Sequence, residues 1–348
     1  MGGTGKSPVV AALAAWLVQQ GERPAILSRG YRRRDDVPGV VVVSDGHTLR
    51  AGLGRSGDEP LMLARAVPGA IVCVCPDRHL AGVLAERRLG ATVHLLDDGF
   101  QHFNLARDLD VLVTAPGEIG GGRVVPQGRL REPRDAAARA HVLVVMGATA
   151  GAAVTEGWAL GVGLACGAER VLGKPCLVGP GPQAPEPQAP SLEPQASSPK
   201  PQANYRLQAP SPEPQDPSPK PQDLAARPLS PGDRVLVACG IANPRRFVED
   251  VTHAGYVVAG EVLFGDHHAF SARDIARISG AVIETGAEAV LTTDKDAVRF
   301  EDAGARPFVL YRMPLALRFD PPDVLFDSVA ALIAADGSRQ SARGEGPS

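Results

Sequence analysis

No two of the five cysteines (Cys73, Cys75, Cys166, Cys176, Cys239) form a C-x-x-C pair, and none stands at zinc spacing from a histidine. The odd, scattered set argues against a disulfide framework and fits a reducing cytoplasm. The chain also lacks a basic excess: its formal net charge is −3, which gives no reason to expect nucleic acid as a partner. No run approaches the roughly 20 apolar residues of a spanning helix. No secretory signal opens the chain, and Lys6 stands where a myristoylation motif wants Ser or Thr. These absences predict a soluble or peripheral protein with no obligate protein partner evident. What remains is ordinary globular material: 348 residues, 44% hydrophobic and 22% charged, enough for two domains with sizeable cores.

Residues 180–231 differ from the rest. They hold 16 of the 32 prolines, and the run 188–202 recurs with three changes at 208–222. Proline fixes φ and removes backbone donors, and this composition cannot bury a core, so a disordered linker insertion is expected there. The polar stretch 336–348 is expected to be a frayed tail.

Residues 1–179 alternate apolar runs with helical patterns. Strands are predicted at Ala25–Ser28, Val40–Val43, Ile71–Cys75, Val93–Leu96, Val111–Thr114 and Val142–Met146. Helices are predicted at Ser7–Gln20, Glu59–Ala66, Arg78–Leu89 and Glu132–Ala140. Short apolar strands separated by helices predict an α/β lobe, a mostly parallel sheet with helices on both faces. Residues 232–335 repeat the pattern on a smaller scale, with strands at Val235–Ala238, Val257–Leu263 and Ala289–Leu291 and helices at Pro244–His253 and Ala272–Thr285.

The opening Met1-Gly-Gly-Thr-Gly-Lys-Ser7 runs straight into an apolar helical pattern. Glycines let backbone N–H groups close around phosphate oxygens, where a Cβ would obstruct. Lys6 would bring charge to the β- and γ-phosphates, Ser7 a hydroxyl to Mg²⁺, and the helix its positive end. Such a loop normally hangs from a preceding β-strand, and none precedes it here, so the first strand of a P-loop lobe is expected to be missing. A flexible Gly-rich terminus is the alternative.

Val93-His-Leu-Leu-Asp-Asp98 is an apolar run ending in two carboxylates. At the end of a parallel strand such a pair can hold Mg²⁺; alternatively, Asp-Asp-Gly is a solvated turn. Asp58 is either the cap of the helix that follows or a functional carboxylate. Asp266-His267-His268 suggests a base steadied by a carboxylate, though which one is not legible. Lys295 either reaches a phosphate or sits in a charged turn. Arg29, Arg32, Arg33 and Arg34 cluster, as do Arg123, Arg129, Arg131 and Arg134; each group is either a phosphate grip or a solvated face.

In order, Gly2-Gly-Thr-Gly-Lys-Ser-Pro8, Leu27-Ser-Arg-Gly-Tyr31, Ser56-Gly-Asp-Glu-Pro60, Asp97-Asp-Gly-Phe-Gln-His102, Leu130-Arg-Glu-Pro133, Cys239-Gly-Ile-Ala-Asn-Pro244, Gly265-Asp-His-His268 and Thr293-Asp-Lys-Asp-Ala-Val298 resemble the tetraacyldisaccharide 4'-kinases of lipid A biosynthesis. The resemblance implies ATP- and Mg²⁺-dependent transfer of a γ-phosphoryl group to the 4'-hydroxyl of a tetraacyl disaccharide 1-phosphate. It implies a larger P-loop lobe and a smaller C-terminal lobe with the site between them. The enzyme would act peripherally at the cytoplasmic face of the inner membrane. Carried over by position, Gly2, Gly3, Thr4, Gly5, Lys6 and Ser7 would bind nucleotide. Ser7, Asp97 or Asp98, and Glu132 would serve Mg²⁺. Asp58 with His267 would take the hydroxyl proton, and Arg29, Arg129 and Arg131 would grip phosphate. The family's members carry a membrane-leaning N-terminal segment and a strand ahead of the loop. The expectation is therefore that Met1 is a GTG valine codon read as a start, which an in-frame stop just upstream would refute. A nucleotide-dependent assembly switch and an inactive truncated fragment are the competing readings.

Overall fold

The computed structural model describes residues 5–30, 33–35, 38–179 and 228–344, with 336–344 by backbone alone. Helix α1 (Lys6–Gln19) begins at Gly5, whose φ of +94° disfavours any residue with a Cβ, which would also press on the Met146 side chain at 3.0 Å. Pro8 falls in its first turn, where a missing N–H costs nothing. Beneath α1 lie two four-stranded sheets. The first has the order β2 (Val41–Asp45), β3 (Ile71–Val74), β1 (Pro24–Ser28), β4 (Val93–Leu96), parallel except for β2. The second has β13 (Leu315–Asp320), β7 (Leu164–Leu172), β6 (Val142–Met146), β5 (Val111–Thr114), parallel except for β13. Helices α2 (Leu53–Ser56), α3 (Asp58–Ala66), α4 (Arg78–Leu89) and α5 (Ala150–Leu160) cover the sheets. The expected doubly covered α/β lobe is present, its strands divided between two sheets.

Among the described residues β4 is bonded only to β1 and β5 only to β6, so each sheet presents an open edge. A groove of about 1140 Å³ is lined by both strands and by Lys6, Val9 and Leu13 of α1. Val93, Leu95, Val111 and Val113 reach the core of Val9, Leu13 and Leu17 yet remain only half-buried.

The second lobe is a five-stranded sheet of order β10 (Val257–Leu263), β9 (Arg234–Cys239), β11 (Ala289–Thr293), β12 (Leu310–Met313), β8 (Cys176–Leu177). Its helices are α6 (Pro244–His253), α7 (Ala272–Thr285) and α8 (Asp294–Asp302). Each starts on a side-chain cap: Asn243 accepts from the Arg246 N–H, Ser271 and Asp274 form a reciprocal capping box, and Thr293 accepts from the Asp296 N–H.

Several expectations are corrected. Chain order does not divide the lobes cleanly at 179 and 232: β8 joins the second sheet, while β13 and α9 (Asp323–Gly344) return to the first lobe beside α1. Helix α9 runs on to Gly344, so the backbone of most of the expected tail is helical; Ala, Arg and Gln sustain a helix and no proline interrupts it. The helix predicted at Glu132–Ala140 shrinks to a 3-10 turn, Arg134–Arg139, led in by Pro133. The expected linker lies outside the described residues except for 228–231. Cys73, Cys75, Cys166 and Cys239 are buried free thiols, and burial pushes Cys73 up to about 12.

Candidate functional site

Two charged clusters meet where α1, β4, α3 and α8 converge. The first forms at the end of β4. Lys6 Nζ lies 2.5 Å from Asp98 Oδ1, and Arg131 Nη1 lies 3.0 Å from the other oxygen. Asp98 adopts φ +55°, unusual outside glycine though tolerated by Asp. Burial raises its carboxyl pKa, but Lys6 and Arg131 outweigh that and hold it below the usual range. Asp97 is 8% exposed, and its pKa rises to about 6 because it is buried and stands beside Asp98, with Glu59 adding to the effect. Arg78, which sequence reasoning did not single out, is 4% exposed and donates to the Pro76 carbonyl. Its Nε has no hydrogen-bond partner among the described residues, and its charge acts on Asp97 and Asp98.

The remaining candidates are placed as follows. Ser7 follows Lys6 in the first turn of α1, whose N–H groups have no partner within the helix. Gly2, Gly3, Thr4 and Arg32 lie outside the described residues. Arg29, just past β1, and Arg129 are exposed. Glu132 is not gathered with the carboxylate pair: it pairs with Arg139 at 2.7 Å, and its other oxygen is buried without a hydrogen-bond partner among the described residues.

The second cluster joins the lobes. Asp58 opens α3 but does not cap it: Gly57 holds that position. Its Oδ2 accepts Nε of Arg299 at 2.8 Å and also Nη2, while His267 Nδ1 stands 3.4 Å away. The Asp58–His267 pair is thus a three-way contact, with Arg299 Nη2 also 3.2 Å from His267 Nδ1. Lys295 Nζ lies 3.2 Å from His267 Nε2 and 2.7 Å from Glu59 Oε1. Burial pushes the Asp58 carboxyl up, but Arg299, His267 and Lys295 outweigh it and hold the group below its usual value. His267 has φ +62°, so Asp98 and His267, both candidate site residues, are the non-glycine residues with positive φ among those described. Such conformations concentrate at functional sites. His268 serves otherwise: its Nε2 lies 3.1 Å from Asp274 and its ring stacks on Phe264. Glu59 links the clusters, neighbouring Asp58 in sequence and acting on Asp97.

Among the described residues no three His, Cys, Asp or Glu side chains are grouped to hold a metal ion. Mg²⁺ bound with a nucleotide needs only one or two carboxylates, the rest of its shell being phosphate and water. An Asp97 whose carboxyl is pushed up by burial and by its neighbour Asp98 suits that demand, because a divalent cation would favour the charged form of both. The donor set fits Mg²⁺.

A sequence profile described as tetraacyldisaccharide-1-P 4'-kinase matches residues 1–333. The chain belongs to that family. A curated tetraacyldisaccharide 4'-kinase of Geobacter metallireducens is 33% identical over 329 residues, covering 93% of this chain and 83% of the relative. One from Anaeromyxobacter is 37% identical over 308 residues, covering 88% and 72%. The crystal structure of LpxK from Aquifex aeolicus in complex with ATP superposes with a TM-score of 0.63 at 23% identity, covering 96% of this chain and 85% of that one, and shares its fold. The protein is therefore a kinase of lipid A biosynthesis, with the mixed, mostly parallel α/β fold that the resemblance implies.

Proposed function

We propose that this kinase transfers the γ-phosphoryl group of ATP to the 4'-hydroxyl of a tetraacyl disaccharide 1-phosphate, forming lipid IVA. The observation that carries the reading is the meeting of a phosphate-facing cluster (Lys6, Asp98, Arg131) with a proton-accepting one (Asp58, His267) through Glu59. The N-terminus of α1 would receive the ATP phosphates, and Lys6 would turn from Asp98 to bring its charge to the β- and γ-oxygens. Bound Mg²⁺ would neutralise charge developing on the phosphates, held by Ser7 and by Asp97 or Asp98. Glu132 would serve it only by leaving Arg139. As the hydroxyl oxygen bonds to the γ-phosphorus, the bond to the β–γ bridging oxygen breaks and its electron pair leaves with ADP. The proton passes to Asp58, steadied by His267. Arg131, with Arg29 and Arg129 at the rim, supplies guanidinium forks for phosphate.

The acceptor's acyl chains imply work at the cytoplasmic face of the inner membrane as a peripheral protein. No helix among the described residues is long and apolar enough to cross a membrane. We read the groove between β4 and β5 as the seat of a strand that would lead into the phosphate loop.

The test is transfer of label from γ-labelled ATP to purified tetraacyl disaccharide 1-phosphate, with and without Mg²⁺, by this chain and by one carrying an apolar strand ahead of Gly2. Mg²⁺-dependent label on the 4'-oxygen is expected. Nucleotide binding with no transfer by either protein would defeat the reading and favour an assembly switch.

A further inference from the structure

We propose that Arg299 is the positioning residue of this site: it clamps one oxygen of Asp58 across the lobe seam and leaves the other free to receive the hydroxyl proton. The inference rests on Asp58 being the proton acceptor. Among the described residues, the side-chain hydrogen bonds to the Asp58 carboxylate fall on Oδ2, from Nε and Nη2 of Arg299 and from His267 Nδ1. Asp58 nevertheless keeps 21% of its side-chain surface exposed, whereas Arg299 keeps 3%. A carboxylate held at one oxygen by two donors of a planar fork loses its freedom to rotate, so Oδ1 faces a fixed direction.

The guanidinium is itself fixed from the second lobe. Its Nη1 donates to Asp296 Oδ1 at 2.8 Å and to the Gly240 carbonyl at 3.1 Å. Asp296 is fully buried and accepts from the Gly240 N–H and the Thr293 hydroxyl, both at 2.9 Å. The Gly240 carbonyl also accepts the His267 N–H at 3.1 Å. One glycine therefore ties Arg299 and His267 to the same point of the backbone. A Cβ there would approach His268 Cβ to 3.0 Å and the Gly265 carbonyl to 3.1 Å. The Cys239-Gly240 and Thr293–Asp296 segments thus act on the reaction through Arg299 rather than by touching substrate.

A buried Arg–Asp pair can also be structural, so the test separates the roles. Replacing Arg299 alone strands Asp296 as a buried charge, and Arg299→Gln risks unfolding for that reason. The double variant Asp296→Asn with Arg299→Gln keeps a neutral, hydrogen-bonding pair. We expect it to melt near the parent temperature, to bind ATP within about threefold, and to lose about 10²-fold in kcat. The acid limb of its kcat profile should move to higher pH, because Asp58 loses its strongest cation. The groups then acting on Asp58 are His267 from the loop after β10 and Lys295 from α8, with Asp266 set against His267 and Glu59 against Lys295. Recovery of both fold and kcat in the double variant would overturn the proposal, leaving Arg299 a structural ion. If the double variant does not fold, Arg299→Lys decides: a folded protein with parental kcat and acid limb overturns it, and a lowered kcat with a shifted limb supports it. Asp58→Asn in the same assay keeps the two readings apart. An active Asp58→Asn removes the base itself, whereas an inactive Asp58→Asn beside an active double variant removes only Arg299.

Discussion

At the scale of single residues, the site is built from groups whose environments conflict with their charges. Asp97 is raised to about 6 by burial and by Asp98, so the folded state holds its proton more tightly than the unfolded chain. Its contribution to stability is full below pH about 4 and is lost as pH rises through about 6. In metal-free protein, Asp97→Asn is expected to add roughly 2–3 kcal/mol of stability at pH 8 and almost none at pH 4. Denaturant melts in chelator at both pH values check this, and an equal effect at both would contradict it. The two adjacent histidines should separate cleanly. His267→Ala is expected to lower turnover by about 10²–10⁴-fold with little change in melting temperature. His268→Ala should cost about 1–2 kcal/mol, for its bond to Asp274 and its stacking on Phe264, while the folded enzyme stays active. The reverse pattern would exchange their roles. Lys6, Asp97 and Asp98 were legible because glycines and an apolar strand frame them. Arg78 and Arg299 were not: a lone arginine in a helix carries no pattern, and only the fold reveals that it is buried.

At the scale of elements, continuous apolar runs read correctly, since strands covered on both faces need no alternation. The elements that escaped are those whose sequence mixes signals. Helix α5 is rich in Ala and interrupted by Gly, β7 runs from the small residues 165–168 straight into the adjacent charges Glu169 and Arg170, and α8 hides behind the charged run Asp294-Lys-Asp296. Helix α8 matters most, because Val298 enters the first lobe's core while Ala297 and Phe300 enter the second's. The open edges of β4 and β5 yield their own prediction. A short β-branched strand fused ahead of Gly2 should raise the melting temperature by several degrees and slow amide exchange in both strands. Unchanged exchange in Val93–Leu96 and Val111–Thr114 would show that the groove does not seat a strand.

At the scale of the molecule, the lobes are joined where the chain crosses from β7 to β8 and from β12 back to β13, with Leu172 at the end of β7 packed on the second lobe's core, and by a seam of ion pairs between α3 and α8. Arg65 with Glu301 and Lys295 with Glu59 flank Asp58 with Arg299 along that seam. Two lobes were legible in the alternating apolar runs, and a site between them was implied only by the family resemblance; their interleaving was not legible, because nothing in β13 or α9 says which sheet each will join. In the proposed mechanism Asp58 acts as the proton acceptor beside a separately formed nucleotide site. Turnover and ATP affinity measured together for Asp58→Ala test that most directly. The account predicts turnover reduced by about 10²–10⁴-fold with ATP affinity within about twofold of the parent. Parental turnover in that variant would contradict it.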